Sequence, residues 1–479
     1  MNKATTQGPH VLFLQLNELN FPFVDHYCRL GKLPNFKEFF DRHGYIETIS
    51  ESEHHLANPW IQWPTVHTGL DYSNHGVFRL GDIMKTDHPM IYDVLESHGI
   101  KVAALGAFNA RNSVSDAAFF IPDPWTDTKV SGPKSLTMIN DAVRQVTDDY
   151  ARNFIAPMSL AKLALGGAVN MRWRDLPEYL GETARFASGR KWMRAVVADR
   201  LLGDAFLTQC SRLMPQFATL FVNGGAHLQH HYMYSSAAYE GPRRNPDWIV
   251  PEGEDPLLEV LEVYDALLGR AVRLADSLPD GRVLLATGLH QEPHERETYY
   301  YRLDDQVAFL QAMGISFEDS YRLMTEDFVV SFADEDQAAR TEKMILDIRT
   351  EGIEPIFYVE TGDSATRTER TDTQMFHVEN RGSDLYVQLR PMSKAMPKGA
   401  SARRGNKHRI LNIDQLVSFA QYKNTHHHGV GYFADSGTAK GELAEGMPLR
   451  EIFQYILSIY GVSKAPSVNQ KRVDQALAG

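Results

Sequence analysis

Cysteine is nearly absent from this chain, which has only Cys28 and Cys210 among 479 residues. Two thiols can build neither a disulfide framework nor a thiolate zinc site. A transition metal would therefore need His, Asp, Glu or Asn ligands. Histidine is abundant, with 19 residues, several of them clustered.

Positive charge is also in deficit, since the formal net charge is -12. A chain of this charge repels nucleic acid, and we expect no nucleic-acid partner. A small anionic substrate remains compatible with it, because a metal ion or local arginines can reverse the field inside a cleft. The oligomeric state is left open by the sequence.

Long apolar runs are missing as well, so we expect no membrane span and no membrane partner. The segment 1–9 is polar and lacks the apolar core of a signal peptide. The expected location is therefore cytoplasmic. The chain contains no Walker-type phosphate loop, no dinucleotide fingerprint and no internal repeat.

Short apolar runs alternate with helical patterns along much of the chain. The predicted strands are 10–16, 101–106, 217–222, 282–287 and 430–433, and a long helix with 3.6-residue periodicity is predicted over 257–278. This alternation indicates an α/β fold with a doubly wound, mostly parallel sheet and helices on both faces.

Two segments interrupt this pattern and suggest separate substructures. Residues 138–200 are predicted to form a helical cap insertion, and residues 328–409 a small α+β subdomain around a charged helix at 334–349. The α/β core then comprises 1–137, 201–327 and 410–463, followed by a C-terminal tail at 464–479. Within the subdomain, the basic and glycine-containing stretch 398–409 is predicted to be a mobile loop.

Four polar clusters follow predicted strands or precede the last one. In open α/β sheets, ligands bind beyond the carboxyl ends of the strands. A single histidine at such a place is more often structural, but four clusters together favour a functional site. The clusters are Asn17-Glu18, Asn223 with His227, His290, and His426-His427-His428.

The order of these clusters resembles the alkaline phosphatase superfamily, especially its phosphodiesterase and sulfatase-like branches. The motifs that carry the resemblance are Leu16-Asn17-Glu18, Thr68-Gly69-Leu70 with His75-Gly76, Asn223-Gly224-Gly225-Ala226-His227, Gly288-Leu289-His290 and His426-His427-His428-Gly429. The resemblance implies an α/β fold, divalent metals (commonly zinc) and a phosphate or sulfate ester as substrate.

Asn17, Asn223 and Leu289 stand where the family has metal-binding aspartates. Amide oxygens are weaker ligands than carboxylates, and leucine is not a ligand. We therefore expect one metal held by Asn223, His227 and one of His426 to His428. Asn17, Glu18 and His290 would form a second, altered site. A histidine-rich alternative adds His231, one helical turn after His227. Zinc is the expected metal, with manganese or iron as alternatives.

The resemblance also implies a nucleophile about three helical turns before Thr68. Counting back reaches Asn58-Pro59, neither of which is a nucleophile. The nearest hydroxyl is that of Thr65, with His67 close by, although a residue after Pro64 can simply belong to a helix N-terminus. The candidate catalytic residues are thus Asn58, Thr65 and His67.

Four further side chains are candidates for substrate binding: Trp60, Gln62, Arg79 and Arg111. The two arginines could hold a phosphate or sulfate group by charge-assisted hydrogen bonds, and the other two could line a pocket. The competing interpretations are surface solvation for the arginines and core packing for the tryptophan.

Together these observations predict a metal-dependent hydrolase or transferase acting on a phosphate or sulfate ester of a small molecule. One alternative is a single-metal enzyme, with iron as a candidate, that performs non-hydrolytic chemistry on the same scaffold. The other is a binding protein that has lost catalysis.

Overall fold

The computed structural model describes residues 8–51, 53, 56–148, 156–322, 327–360, 367–406 and 408–462. The chain divides into two compact units. The larger unit comprises Met1–Val146, Ile155–Glu292 and His426–Gly479, and the smaller comprises Thr147–Phe154 and Pro293–Thr425. The smaller unit is thus wider than the predicted subdomain at 328–409. Most of the predicted cap falls in the larger unit.

The secondary structure alternates between strands and helices in the first half of the chain. The strands are β1 (Val11–Leu16), β2 (Ile46–Ile49), β3 (Val102–Ala107), β4 (Phe119–Pro122), β5 (Phe217–Val222), β6 (Arg282–Ala286), β7 (His290–Leu303), β8 (Asp319–Arg322), β9 (Asp327–Ser331), β10 (Ile348–Glu351), β11 (Ile356–Glu360), β12 (Arg367–Thr371), β13 (Phe376–Asn380), β14 (Asp384–Leu389), β15 (Ser401–Arg404), β16 (His408–Ile410), β17 (Val417–His428), β18 (Val430–Asp435) and β19 (Met447–Pro448). The helices are α1 (Phe21–Arg29), α2 (Pro34–His43), α3 (Pro59–Thr68), α4 (Tyr72–His75), α5 (Ile91–Ser97), α6 (Lys134–Asp148), α7 (Pro157–Asn170), α8 (Leu176–Ala187), α9 (Met193–Leu213), α10 (Gly224–Tyr232), α11 (Pro256–Asp276), α12 (Gln306–Ala312), α13 (Glu335–Leu346) and α14 (Glu451–Ile459).

An eight-stranded sheet forms the centre of the larger unit, in the order β19-β2-β18-β6-β1-β5-β3-β4. Strand β1 pairs in parallel with β5 and β6, and β3 pairs in parallel with β5 and β4. Only β18 among these strands runs antiparallel to both of its neighbours, β2 and β6. The predicted α/β class with a mostly parallel sheet is confirmed.

Both faces of this sheet are covered by helices, as a doubly wound fold requires. Alternate residues of β1 enter different clusters: Leu12 and Leu14 pack with residues of α1, α2, α9 and α11, whereas Val11 and Phe13 pack with residues of α3, α5 and α14. Every residue of β1 is buried, which explains why its sequence is apolar except for Gln15.

The parallel strands bring the polar clusters to one edge of the sheet. Strands β1, β5 and β6 end directly before Asn17, Asn223 and Thr287. Strand β18 is antiparallel, so its beginning lies at the edge where the others end. His426 to His428 end β17 and are separated from β18 only by Gly429, so they reach the same edge.

The described part of the smaller unit contains antiparallel sheets and the helices α12 and α13. One sheet has the order β13-β14-β9-β8, another has β10-β15-β16, and β11 pairs with β12. The predicted loop at 398–409 is wrong for half of its length, because this stretch contains β15 and the first two residues of β16, and β15 also pairs with β10. Among the described residues, no helix combines the length and apolarity needed to cross a bilayer.

Candidate metal centre

Glu18 occupies an unusual backbone position directly after β1. Its φ is +56°, in the left-handed region that residues other than glycine rarely adopt. Its N–H donates to the Thr287 carbonyl at 3.0 Å, and its carbonyl accepts from Gln229 Nε2 at 2.8 Å. These two bonds hold the strained conformation, which gives the Glu18 side chain a fixed direction.

Two amide groups orient the Glu18 carboxylate. Asn17 Nδ2 donates to Oε1 at 2.9 Å, and Gln291 Nε2 donates to Oε2. Gln291 Nε2 also donates to the Ala226 carbonyl at 3.0 Å, so the amide that holds the carboxylate is itself held. The carboxylate is buried, with only 4% of the side chain exposed.

Two histidines complete a triangle with this carboxylate. Glu18 Oε2 lies 3.0 Å from His427 Nε2 and 3.2 Å from His230 Nε2, and the two Nε2 atoms are 3.2 Å apart. We call these three residues the Glu18 group. Burial raises the Glu18 pKa, but the charges and hydrogen bonds of His427 and His230 outweigh burial and hold that pKa well below its usual value.

The triangle has the dimensions of one face of a metal coordination shell. Ligand atoms about 2.0–2.1 Å from zinc are separated by roughly 2.8–3.0 Å in an octahedral shell and by roughly 3.3–3.4 Å in a tetrahedral one, so the two geometries together span about 2.8–3.4 Å. The three measured separations fall within that range. Two imidazoles and a carboxylate are also a common donor set for zinc and for non-haem iron. The residues present therefore fit a divalent metal.

Asn17 and Asn223, both predicted ligands, are hydrogen-bonded to each other at this site. Asn17 Nδ2 donates to Asn223 Oδ1 at 2.7 Å, and Asn17 Oδ1 accepts from Trp63 Nε1 at 2.7 Å. With its second N–H directed at Glu18, both N–H bonds of the Asn17 amide are used within the protein. This arrangement gives Asn17 the role of orienting Glu18.

Gly288 allows the Trp63 ring to take this position. Its φ is +75°, and a Cβ atom built on it would lie 3.2 Å from the Trp63 ring. A side chain at 288 would therefore press on the indole that donates to Asn17.

His227 and His231 form a separate pair on α10. Their ring centroids are 4.4 Å apart, as expected for residues one helical turn apart. Burial lowers the pKa of His227 to about 4, and the charges of His230 and Arg194 act in the same direction. It is His230, between the two, that reaches Glu18.

A second cluster of possible ligands involves the remaining predicted histidines. His290, Glu292 and His428 each offer a ligand atom, and these atoms lie within 4.8 Å of one another. We call these residues the Glu292 group. His426 lies beside it, with Nε2 3.8 Å from Glu292 Oε2.

The hydroxyl of Thr65, the candidate nucleophile, is engaged in two hydrogen bonds within the protein. It donates to the Ile61 carbonyl at 3.3 Å and lies 3.1 Å from His75 Nε2. His75 Nδ1 accepts from the Val77 N–H, so neutral His75 carries its proton on Nε2 and donates to Thr65. In this tautomer His75 does not act as a base toward the hydroxyl.

His67 and Asn58 occupy the interior and the beginning of α3. His67 is fully buried, its Nε2 lies 3.0 Å from Gln15 Nε2, and burial lowers its pKa to about 3. Asn58 is the N-cap residue of α3, and its carbonyl accepts from the N–H groups of Ile61 and Gln62.

The four predicted substrate-binding residues are engaged in other contacts. Gln62 is buried and donates to the Leu56 carbonyl, and with Thr65 it lines a cavity of about 220 Å³ whose lining includes no member of either group. The Trp60 carbonyl accepts from Asn109. The Arg111 guanidinium donates to the carbonyls of Thr86 and His88, and that of Arg79 lies over the Phe78 ring.

His230 was not among the predicted ligands, and His427 was predicted only as one member of the run His426 to His428. Position 230 follows His227 by three residues and 231 by four, and both spacings lie on one helix face, so spacing alone did not favour His231. In the run His426-His427-His428, strand alternation separates His427 from its two neighbours. That period-two pattern was the signal that could have identified His427.

Neither a protein-family model nor a curated protein sequence matches the chain. Solved structures similar to it include phosphonoacetate hydrolase from Sinorhizobium meliloti 1021, with 12% identity, a TM-score of 0.40 and coverage of 95% of this chain and 96% of that one. Murine ectonucleotide pyrophosphatase/phosphodiesterase 5 gives 10%, 0.41, 95% and 96%, and TAB5 alkaline phosphatase gives 11%, 0.38, 94% and 97%. All three are similar to this chain at low sequence identity.

Proposed function

We propose that this protein is a metal-dependent hydrolase or transferase of a small phosphate or sulfate ester, with a single catalytic dication held by Glu18, His230 and His427. The observation that carries the proposal is the triangle of 3.0–3.2 Å between Glu18 Oε2 and the two Nε2 atoms. Three protein ligands leave further coordination positions for substrate and water, as in catalytic rather than structural zinc sites.

The charge of the group favours an anionic substrate. One carboxylate and two neutral imidazoles carry a charge of -1, so a dication would leave about +1 at the site (2 - 1). An ester anion is therefore attracted to the site although the whole chain carries a formal charge of -12.

Each residue has a distinct task in this scheme. His230 and His427 supply neutral nitrogen ligands, and Glu18 supplies the charged oxygen. Asn17 and Gln291 keep the carboxylate oriented. A dication bound there would polarise the ester oxygen and activate a water molecule for attack. Attack by water needs no side-chain nucleophile, which agrees with the engaged hydroxyl of Thr65.

The test uses zinc-loaded protein and three chromogenic esters: para-nitrophenyl phosphate, bis-para-nitrophenyl phosphate and para-nitrophenyl sulfate. We expect His427→Asn to lower kcat/KM for the hydrolysed ester by at least about 100-fold, since even changes outside the ligand shell cost 10–100-fold. His98→Asn, at an exposed position, is the matched control and should keep wild-type activity. Wild-type activity in His427→Asn, or no turnover of any ester by metal-loaded protein, would contradict the proposal.

A second candidate function is non-hydrolytic chemistry with iron. The same observation favours it, because two histidines and one carboxylate on one face are the ligand set of non-haem iron oxygenases. Iron as the metal in protein purified aerobically without added metal, together with no ester hydrolysis, would favour this candidate. Small-molecule binding without metal or turnover would favour a binding protein.

A further inference from the structure

Strands β7 and β17 form a two-stranded sheet, and the Glu292 group lies on the face of this sheet opposite to the Glu18 group. Successive residues of a strand point to opposite faces, so His290 and Glu292 share one face of β7 while Gln291 points to the other. The same alternation in β17 separates His428 from His427. Gln291 and His427 contact Glu18, whereas His290, Glu292 and His428 gather on the reverse face.

His290 is prepared for metal binding by its hydrogen bond. Its Nδ1 lies 2.6 Å from the Val430 carbonyl, and a carbonyl can only accept, so Nδ1 carries the proton. The lone pair of neutral His290 is therefore on Nε2, which faces Glu292 Oε1 at 3.4 Å. Metal-bound histidines in proteins are typically fixed in this way by a backbone carbonyl.

Glu292 is placed to bridge the histidines of this face. One carboxylate oxygen faces His290, and the other lies 3.8 Å from His426 Nε2. The two oxygens of this carboxylate thus face different histidines, as a ligand placed between them must.

His428 can complete the group with little rearrangement. It is exposed, and its ring centroid is 4.9 Å from that of His290. The hydrogen bond from the Val430 N–H to its Nδ1 is long, at 3.3 Å, so little is lost when the ring turns.

We propose that His290, Glu292 and His428, with His426 as a fourth ligand, form a second divalent-metal site of the zinc type on the reverse face of β7 and β17. Four protein ligands define a closed site, and closed zinc sites stabilise structure rather than perform catalysis. A metal there ties together the two strand ends that carry Gln291 and His427. The proposal does not depend on the chemistry assigned to the Glu18 group.

The test counts bound zinc in protein purified without a histidine tag. Metal-free protein is equilibrated with zinc, separated from free metal, and analysed by plasma mass spectrometry. We expect about two equivalents in the wild type and in His98→Asn. The double variant Glu292→Gln with His428→Asn should keep about one equivalent, and so should His230→Asn with His427→Asn.

Wild-type zinc content in the Glu292→Gln, His428→Asn variant would overturn the proposal. Loss of zinc from the His230→Asn, His427→Asn variant tests the Glu18 group separately, so the two proposals fail independently. If the Glu292 variant does not fold by circular dichroism, anomalous diffraction from zinc-soaked wild-type crystals decides. A peak within bonding distance of His290 Nε2 and Glu292 supports the site, and its absence overturns it.

Discussion

Asn17 stands where the resemblance places a metal-binding aspartate, and its environment suits an amide. It donates to Glu18 Oε1 and Asn223 Oδ1 and accepts from Trp63 Nε1. An aspartate could make only the last of these bonds. In the proposed site the charged ligand is therefore Glu18, one position further along the chain.

We expect Asn17→Asp to destabilise the metal-free protein by about 2–4 kcal/mol of unfolding free energy. The new carboxylate would lose two hydrogen bonds and face Glu18 in a buried setting. Chemical denaturation measures the loss, and Asn74→Asp, at an exposed position, is the control. Equal stability of Asn17→Asp and wild type would show that the amide does not orient Glu18.

His67 should make the protein sensitive to acid. In the unfolded chain a histidine binds a proton near pH 6.5, whereas burial lowers the pKa of folded His67 to about 3. The unfolded state therefore binds more protons below pH 6.5, and stability falls as the pH drops from 6.5 toward 3.

Replacing His67 should remove this part of the pH dependence. Between pH 6 and 4, the wild type should lose about 1.4 kcal/mol per pH unit more than His67→Gln. Denaturation curves at several pH values give the two slopes, with His98→Gln as the control that retains the wild-type slope. If the unfolding free energies of the wild type and His67→Gln fall equally with pH, the pKa of His67 in the folded protein is not lowered, and the prediction is wrong.

At the scale of elements, continuous apolar runs predicted the central strands well. The predicted strands at 10–16, 217–222 and 282–287 agree with β1, β5 and β6 to within one residue at each end. Such runs are reliable because a strand buried on both faces can carry few polar residues. The polar residues that follow these strands were correctly placed at one edge of a sheet.

Elements whose sequence is dominated by charge were harder to predict. The stretch 398–409 is basic and contains glycine, yet it forms β15 and β16. Arg403 and Arg409 both form ion pairs with Glu351 of β10, at 3.0 and 2.8 Å. A partner that is distant in sequence therefore stabilises these basic strands. The choice between His230 and His231 likewise depended on where Glu18 lies, which local periodicity does not contain.

Gly288 between β6 and β7 gives a test at this scale. Gly288→Ala should lower the unfolding free energy by about 2–3 kcal/mol, because the left-handed φ costs roughly 1 kcal/mol and the Trp63 ring must move. Gly99→Ala shares the positive φ but meets no atom within 4 Å, so it isolates the backbone cost. Trp fluorescence should change only in Gly288→Ala. Equal effects of the two variants would show that contact with Trp63 is unimportant.

For the whole molecule, metal binding should appear as added stability. A ligand that binds only the folded state at 100 times its dissociation constant adds about 2.7 kcal/mol. Removing metal with a chelator should therefore lower the unfolding midpoint by several degrees, and added zinc should restore it. The shift should shrink in His230→Asn and remain complete in His98→Asn, as measured by scanning calorimetry. An identical shift in both variants would place the stabilising metal elsewhere.

The central claim is that Glu18, His230 and His427 hold a divalent metal, and anomalous diffraction from crystals grown with zinc tests it most directly. The predicted result is a zinc peak about 2.0–2.1 Å from both Nε2 atoms and from Glu18 Oε2. The contradicting result is well-ordered density for the three side chains, joined only by hydrogen bonds, with no anomalous peak between them.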